Sequence, residues 1–469
     1  MPVPIISIAQ MREWERITWA TSRKEAEVIR RVGRAAAELA NKLTYPDDLV
    51  LILAGKGHNG SDARAASGFL GDRLFETIDV GQPETDFSKL ESSLAKKPAL
   101  IIDGLFGIGL NRPLHDGWIR FINRINESRV PVLSIDVPSG LSADTGLPQG
   151  ASIRAAMTIT VGAPKPGLLR DVAWPYVGRL ELASDVGFIT CPHRTELQWT
   201  LPGDFAGFPP RRGAEKHKGD FGRLAIVAGS MGYHGAAVLA ARGAQRAQPG
   251  LITLYTHERV YQPVASQLQA IMVNVWTGAP ELADDFDGML IGPGLAAPDL
   301  TDEIKQTVRK LWRELPKPLV VDASALDWLP PDAPPQGAVR VITPHPGEAA
   351  RLLQSTVKDV QADRVKALRT ISGKLGNCWV VLKGHQTLIG RSVGPVFVNC
   401  SGNPHLAQGG SGDVLAGYIS GFLAQQELQS IPEKTIRYAV WQHGATADTL
   451  EDRHWVVEDL VAELGKAQK

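Results

Sequence analysis

The stretch Asp48-Leu-Val-Leu-Ile-Leu-Ala-Gly55-Lys-Gly-His-Asn-Gly60 decides the architecture. After Asp48 the chain stays apolar without a break until it meets a glycine. A strand with one wet face alternates, so an unbroken run suits a central parallel strand buried on both faces. The glycines behind it permit a tight turn and close backbone approach to a phosphate. A plausible helix over Ser61–Leu70 would add N–H donors at its start. The spacing satisfies G-x-G-x-x-G, with Asp79 near the place of a ribose-binding acid. Alone the pattern is weak, and a bland tight turn explains it equally well.

The same grammar recurs outward from this stretch. Residues 7–40 are predicted to be helix. Further buried strands are Pro98-Ala-Leu-Ile-Ile-Asp-Gly104, Pro131-Val-Leu-Ser-Ile-Asp136 and Met157-Thr-Ile-Thr-Val-Gly-Ala163, and Gly178–Asp185 reads as a late or edge strand. Amphipathic segments such as Trp118–Glu127 lie between them. Strand, glycine turn, helix, strand is the pattern of a doubly wound α/β sheet. Periodicity stops between Cys191 and Lys218, which predicts a linker with its boundary near residue 205. It then restarts with Gly222–Gly229, an Ala-rich helix over Ala236–Gln248, Leu251–Tyr255, Gly288–Gly292, Pro318–Asp322, Val339–Thr343 and Trp379–Lys383. Two α/β domains are expected, over 1–205 and 206–469.

Composition agrees and narrows the function. The chain has 469 residues, with 50 Lys+Arg against 50 Asp+Glu and 43% hydrophobic content. That length favours two or three domains with full cores. Zero formal charge argues against a general nucleic-acid binder or a polybasic membrane protein. Three dispersed cysteines (Cys191, Cys378, Cys400) form no disulfide framework or zinc cluster pattern. No apolar run is long enough for a membrane helix, and the N-terminus lacks secretory features, so a cytoplasmic protein is expected. Sites shaped from loops on open sheets commonly associate, so a homo-oligomer is expected.

Carboxylates at strand ends sharpen the first half. Asp103 precedes Gly104-Leu-Phe-Gly-Ile-Gly109-Leu-Asn-Arg-Pro113, and Asp136 precedes Val137-Pro-Ser-Gly140. Strand C-termini of an open parallel sheet face one crevice, where ligands bind. Asn59, Asp103 and Ser139 offer hard oxygens suited to an alkali or alkaline-earth ion. Read singly, each Asp has a plainer alternative as a cap of the following helix, though the less favoured one. Together, Gly57–Asp62, Asp103–Pro113 and Asp136–Gly140 resemble the epimerase domain of the NAD(P)H-hydrate repair family, a Rossmann-like fold. The resemblance implies that His58, Asn59, Gly60, Ser61 and Asp62 bind the hydrated dinucleotide. It implies the same for Gly107, Ile108, Gly109, Leu110, Asn111, Arg112 and Pro113. Asn59, Asp103 and Ser139 would hold K+, and Asp136 would contact the ligand as acid–base group. His58 and Ser61 stand where that family usually has Asn and Gly.

The second half carries Asn403-Pro-His-Leu-Ala-Gln-Gly409-Gly-Ser-Gly412-Asp413-Val-Leu-Ala-Gly417. A glycine turn entering a helix makes an anion cradle, and a carboxylate beside it can take a proton from an attacking hydroxyl. Lys383-Gly-His-Gln-Thr387 reads as a hairpin turn after a buried strand. Thr343-Pro-His-Pro-Gly-Glu348 and Gly292-Pro-Gly-Leu295 are further strand-end loops. The Gly-x-Gly-Asp turn resembles the ribokinase-like superfamily. With Thr343–Glu348 the resemblance narrows to the ADP- or ATP-dependent NAD(P)H-hydrate dehydratases. It implies that Lys383, Gly384, His385, Gln386, Thr387 and Gly412 bind ADP or ATP with Mg²⁺. Ala236, Gly294, His345 and Asp413 would contact the hydrated nicotinamide, with Asp413 catalytic. His405-Leu-Ala-Gln408 departs from the family's usual Gly-Met-Ala-Thr.

The expected whole is a bifunctional enzyme acting on NADH or NADPH hydrates (NADHX, NADPHX), without nucleic-acid or membrane partners. Two other readings stay open at this point. The second half could be a vitamin- or sugar-type kinase, distinguished by a stable phosphorylated product. The first could be a non-catalytic nucleotide- or RNA-binding module.

Overall fold

The computed structural model describes residues 2–467 apart from 111, 277–284, 299, 332, 333, 336, 452 and 453. The chain divides into two units, Val3–Thr195 and Glu196–Lys469. The first holds β1 (Val3–Pro4), β2 (Leu49–Ala54), β3 (Leu74–Asp79), β4 (Leu100–Gly104), β5 (Val132–Ile135), β6 (Met157–Val161) and β7 (Arg179–Ala183). Six of these form one sheet in the order β3-β2-β4-β5-β6-β7, with every neighbouring pair parallel. The chain runs from β2 outward to β3, then returns past β2 to place β4. Order therefore reverses between β2 and β4, and the crevice beyond their C-terminal ends is where such sheets bind ligands.

The unbroken apolar run now has its cause. Val50, Ile52 and Ala54 point into one core and Leu51 and Leu53 into the other. The helix expected over 7–40 is two helices, Ile8–Trp19 and Glu25–Leu43. Ser7 caps the first through a reciprocal exchange with Gln10, and Thr21 Oγ1 donates to Thr18 O where it ends. Local side-chain bonds of this kind stop a helix without any change in composition. The helix expected from Ser61 begins at His58 instead, with Gly57 extended at its N-cap. Asn59–Asp62 therefore lie in its opening turns.

The second unit holds β8 (Leu197–Trp199), β9 (Arg223–Val227), β10 (Leu251–Thr256), β11 (Met272–Val275), β12 (Gly288–Ile291), β13 (Leu319–Val321), β14 (Arg340–Ile342), β15 (Trp379–Leu382), β16 (Leu388–Gly390) and β17 (Val396–Val398). Their order is β8-β17-β16-β15-β14-β13-β12-β9-β10-β11. Pairing is parallel from β15 to β11 and antiparallel around β16. The turn Lys383–Thr387 links the antiparallel pair β15–β16, as its hairpin reading expected. Order reverses between β9 and β12, which locates a second crevice. The helices His234–Arg246 and Ser411–Leu423 pack through small residues: a Cβ on Gly417 would lie 1.9 Å from Ala240 O, and one on Gly243 2.3 Å from Val414 O.

The boundary falls ten residues before the expected position. β8 pairs in parallel with β17. Phe205 and Phe208 join the second unit's core, and Asp204 binds Arg437 at 2.6 Å. What reads as linker is a strand of the second unit's sheet and a plug for its core. Among the described residues no helix is long and apolar enough to cross a membrane.

Candidate active sites at the two crevices

In the first unit, strand ends bring the expected carboxylates and glycines together. Asp103, at the end of β4, is fully buried and accepts four hydrogen bonds: Ser139 Oγ at 2.6 Å, Ser134 Oγ at 2.8 Å, Ser139 N at 2.9 Å and Leu105 N at 3.2 Å. Burial pushes its carboxyl up, against those four donors. Ser139 Oγ also accepts from Phe106 N at 2.8 Å, which ties the loop after β5 to the loop after β4. Asn59 Nδ2 donates to Phe106 O at 2.7 Å, while its buried Oδ1 has no hydrogen-bond partner. A Cβ on Gly107 would stand 3.3 Å from Asn59 Cγ and 3.4 Å from Asp136 Oδ2, so Gly107 leaves open the gap between them.

Asp136 follows β5 with φ +64, a left-handed conformation uncommon outside glycine. Its N–H donates to Ile159 O at 2.7 Å, and Val161 N donates to its Oδ1 at 3.3 Å. Backbone held this way is found preferentially at functional sites. Sequence reasoning missed its principal partner. Lys165, completely buried, donates to Asp136 Oδ1 at 2.5 Å and to Thr160 Oγ1 and Val161 O, both at 3.0 Å. The only signal was a lysine set between two prolines just past a buried strand. Burial, with Asp136 adding, pushes Asp62 well above the ordinary carboxyl range and raises Glu15 as well.

Other expected residues lie elsewhere or pair differently. His58 is exposed, and its Nε2 sits 2.8 Å from Glu25 Oε1. Asp79 is bound by Arg64 at 2.7 Å rather than left for a ribose. Gly60 and Ser61 belong to the helix, where a Cβ on Gly60 would strike Gly55 O at 2.0 Å. In the loop after β4, Leu110 N donates to Gly107 O, Gly109 faces open space, Ile108 packs on an apolar cluster, and Arg112 and Pro113 are exposed. Asn111 lies outside the described residues.

The second unit's crevice gathers the ends of β9, β12, β13, β14 and β15. Ser230 Oγ donates to Gly294 O at 2.6 Å, and a Cβ on Gly294 would lie 3.0 Å from Ala236 Cβ. These two expected contacts are neighbours. Lys383 Nζ lies 2.9 Å from Asp322 Oδ1 and 3.9 Å from Glu348 Oε2, and 3.2 Å from where a Gly412 Cβ would stand. Burial works against its charge, but Asp322 and Glu348 outweigh it and raise the Lys383 pKa. Asp413 sits in the first turn of the helix Ser411–Leu423. Burial, reinforced by Asp322 and opposed by Lys383, pushes its carboxyl up to about 7. A carboxylate poised near neutrality is matched to proton transfer.

Asp322 carried the strand-end signature already used for Asp103 and Asp136, yet the sequence reading gave it no role. Thr343 Oγ1 donates to its Oδ1 at 2.6 Å. His345 caps its own helix: Nδ1 accepts from Gly347 N at 3.0 Å, and the exposed ring edge lies 3.5 Å from Glu348 Oε1. In the hairpin turn, Thr387 Oγ1 donates to Gly384 O at 3.1 Å, and both amide atoms of Gln386 are buried without a partner.

Comparison with known proteins follows this division. A family profile described as NAD(P)H-hydrate dehydratase matches residues 224–469. A second, described as YjeF-related protein N-terminus, matches residues 72–167 and so begins beyond the Gly55–Asp62 turn. A bifunctional NAD(P)H-hydrate repair enzyme of Gloeobacter violaceus is 34% identical over 97% of this chain and 94% of its own. The Escherichia coli protein of that name is 31% identical over 91% of this chain and 85% of its own. Among solved structures, the ADP/ATP-dependent NAD(P)H-hydrate dehydratase of Bacillus subtilis, co-crystallised with ATP and Mg²⁺, is 31% identical. It aligns with a TM-score of 0.51 over 57% of this chain and 96% of its own.

Proposed function

The chain belongs to the family of bifunctional NAD(P)H-hydrate repair enzymes, and on that premise we propose how each unit performs its share. The enzyme epimerises the R and S hydrates of NADH and NADPH, and dehydrates the S form in a step that uses ADP or ATP as phosphoryl donor.

In the first unit, Asp136 is the acid–base group and Lys165 holds its carboxylate in place. The amides opening the helix His58–Ala66 and the loop 107–113 receive the dinucleotide. Asn59, Asp103 and Ser139 would hold K+. The unpartnered, buried Asn59 Oδ1 beside an all-oxygen donor set supports that fit. The ion's contribution would be charge compensation for buried Asp103 and fixation of the loops that carry the site.

In the second unit, Asp413 takes the proton of the ring hydroxyl as that oxygen attacks the terminal phosphate. The N–H groups of Gly410–Gly412 and the Lys383 ammonium meet the phosphate charge. Phosphorylated oxygen is a good leaving group, and the ring nitrogen lone pair expels it to restore the dihydropyridine. Mg²⁺ would arrive on the nucleotide phosphates and offset their charge. The observation that carries this reading is the meeting of Lys383 with Gly412 beside an Asp413 poised near neutrality. Hydrated NADH supplied with ADP or ATP should regain NADH absorbance and release free phosphate. Asp413→Asn should abolish that recovery, and nucleotide-dependent dehydration by this variant would refute the assignment.

A further inference from the structure

The hairpin turn Lys383–Thr387 is built around a side chain that nothing so far has used. Arg364 opens the helix Arg364–Lys374 and is 8% exposed. Its Nη2 donates to Leu382 O at 3.1 Å and Lys383 O at 3.4 Å, and its Nη1 to Gln386 O at 3.3 Å and to His385 O. Three carbonyls of the turn and that of Leu382, at the end of β15, thus converge on one guanidinium, whose planar fork suits several acceptors at once. A Cβ on Gly384, at φ +128, would lie 3.4 Å from Nη2, and Gln386 also has a positive φ of 52. The turn is wrapped on the guanidinium.

A trans peptide carries its N–H opposite its C=O. Drawing the carbonyls of Lys383, His385 and Gln386 inward therefore turns the N–H groups of Gly384, Gln386 and Thr387 away from Arg364. Successive amides presented this way make an anion-binding concavity. Lys383, which begins the turn, reaches Gly412 with its ammonium, so the same turn borders the Gly410–Gly412 amides.

We propose that Arg364 is a positioning residue for the nucleotide, holding the Lys383–Thr387 turn so that its amides face the phosphates of ADP or ATP. The proposal rests on the nucleotide-dependent dehydration assigned above. Its test uses the full chain, with epimerase activity as an internal control on folding. Arg364→Gln should weaken equilibrium binding of Mg-ATP at least tenfold and raise KM for the nucleotide by a similar factor. KM for the hydrate, and kcat at saturating nucleotide, should stay within twofold. Millimolar guanidinium should restore part of the lost ATP affinity. Should Arg364→Gln not give folded protein, Arg364→Lys serves: it keeps the charge but loses the fork, and should lose ATP affinity with the hydrate KM unchanged. Unchanged ATP affinity in a folded variant overturns the proposal. So does a parallel loss of hydrate KM, kcat and thermal stability that guanidinium does not mend. A wild-type chain that neither binds nor uses ADP or ATP would instead overturn the dehydratase assignment itself, and the proposal with it.

Discussion

At the scale of single residues, the two sites use charge in opposite ways. Asp136 is held against an ammonium; Asp413 is pushed toward its neutral form by burial and by Asp322. The consequence for Asp413 has a definite sign. Its pKa is about 7 in the folded chain against an ordinary value near 3.8, so between those limits the folded state binds more protons than the unfolded state. Stability from this group is greatest below pH 4 and declines as pH rises toward 7. Asp413→Asn removes the penalty, so the variant should gain on wild type by roughly 2 kcal/mol between pH 5 and pH 8, after a discount for water access. Parallel thermal melts at the two pH values measure it; a pH-independent difference would place the Asp413 pKa near its ordinary value. Dehydration should rise with pH through about 7, with a wild-type pH–rate profile as the check. For the first unit, Lys165→Met strips a buried carboxylate of its partner. It should destabilise the unit by about 3 kcal/mol and cut epimerisation by at least ~100-fold, read by urea unfolding and by an epimer-interconversion assay.

At the scale of elements, glycines place the proposed catalytic groups. Gly417 lets the helix that carries Asp413 lie against the helix His234–Arg246, with room for no more than a hydrogen toward Ala240 O. Gly417→Ala must separate the two helices. It should cost on the order of 3 kcal/mol and depress dehydration while leaving epimerisation unchanged, measurable on one preparation. This level was also the most legible in the sequence. Buried parallel strands such as Leu49–Ala54 and Trp379–Leu382 are marked by continuous apolar runs because both faces are covered. Strands at or near edges gave no such mark. Leu74–Asp79 exposes Leu74 and Phe75 and carries Glu76, while Leu197–Trp199 and Val396–Val398 are three residues each. The site was legible where a carboxylate ended a strand ahead of a glycine-bearing turn, as with Asp103 and Asp136; Asp413's neighbour Asp322 ends a strand in the same way, but with Ala-Ser-Ala behind it, and went unassigned. Pairings across long separations left no local trace: Lys165 stands 29 residues from Asp136, and Lys383 61 residues from Asp322.

At the scale of the whole molecule, zero net charge coexists with polyanionic dinucleotide substrates. In the proposed sites phosphate would be met by amides, helix N-termini and a few buried cations rather than by a basic surface, which accounts for the coexistence. Each unit also has its own core and its own sheet, and the position of the division decides which fragments will fold. A boundary at 205 would remove β8 from β17, Phe205 from its contacts with Tyr438 and Trp441, and Asp204 from buried Arg437. Phe205 is fully buried, and the Asp204–Arg437 pair is 2.6 Å long with side chains 3% and 6% exposed. Leaving Arg437 buried without that carboxylate costs about 3–5 kcal/mol before the aromatic contacts are counted. Total stabilities run to only about 5–15 kcal/mol. A fragment of residues 196–469 should therefore melt cooperatively and dehydrate hydrated NADH, whereas one of residues 206–469 should melt at least ~10 °C lower or fail to fold. Equal melting temperatures for the two would mean that the segment 196–205 is a linker after all.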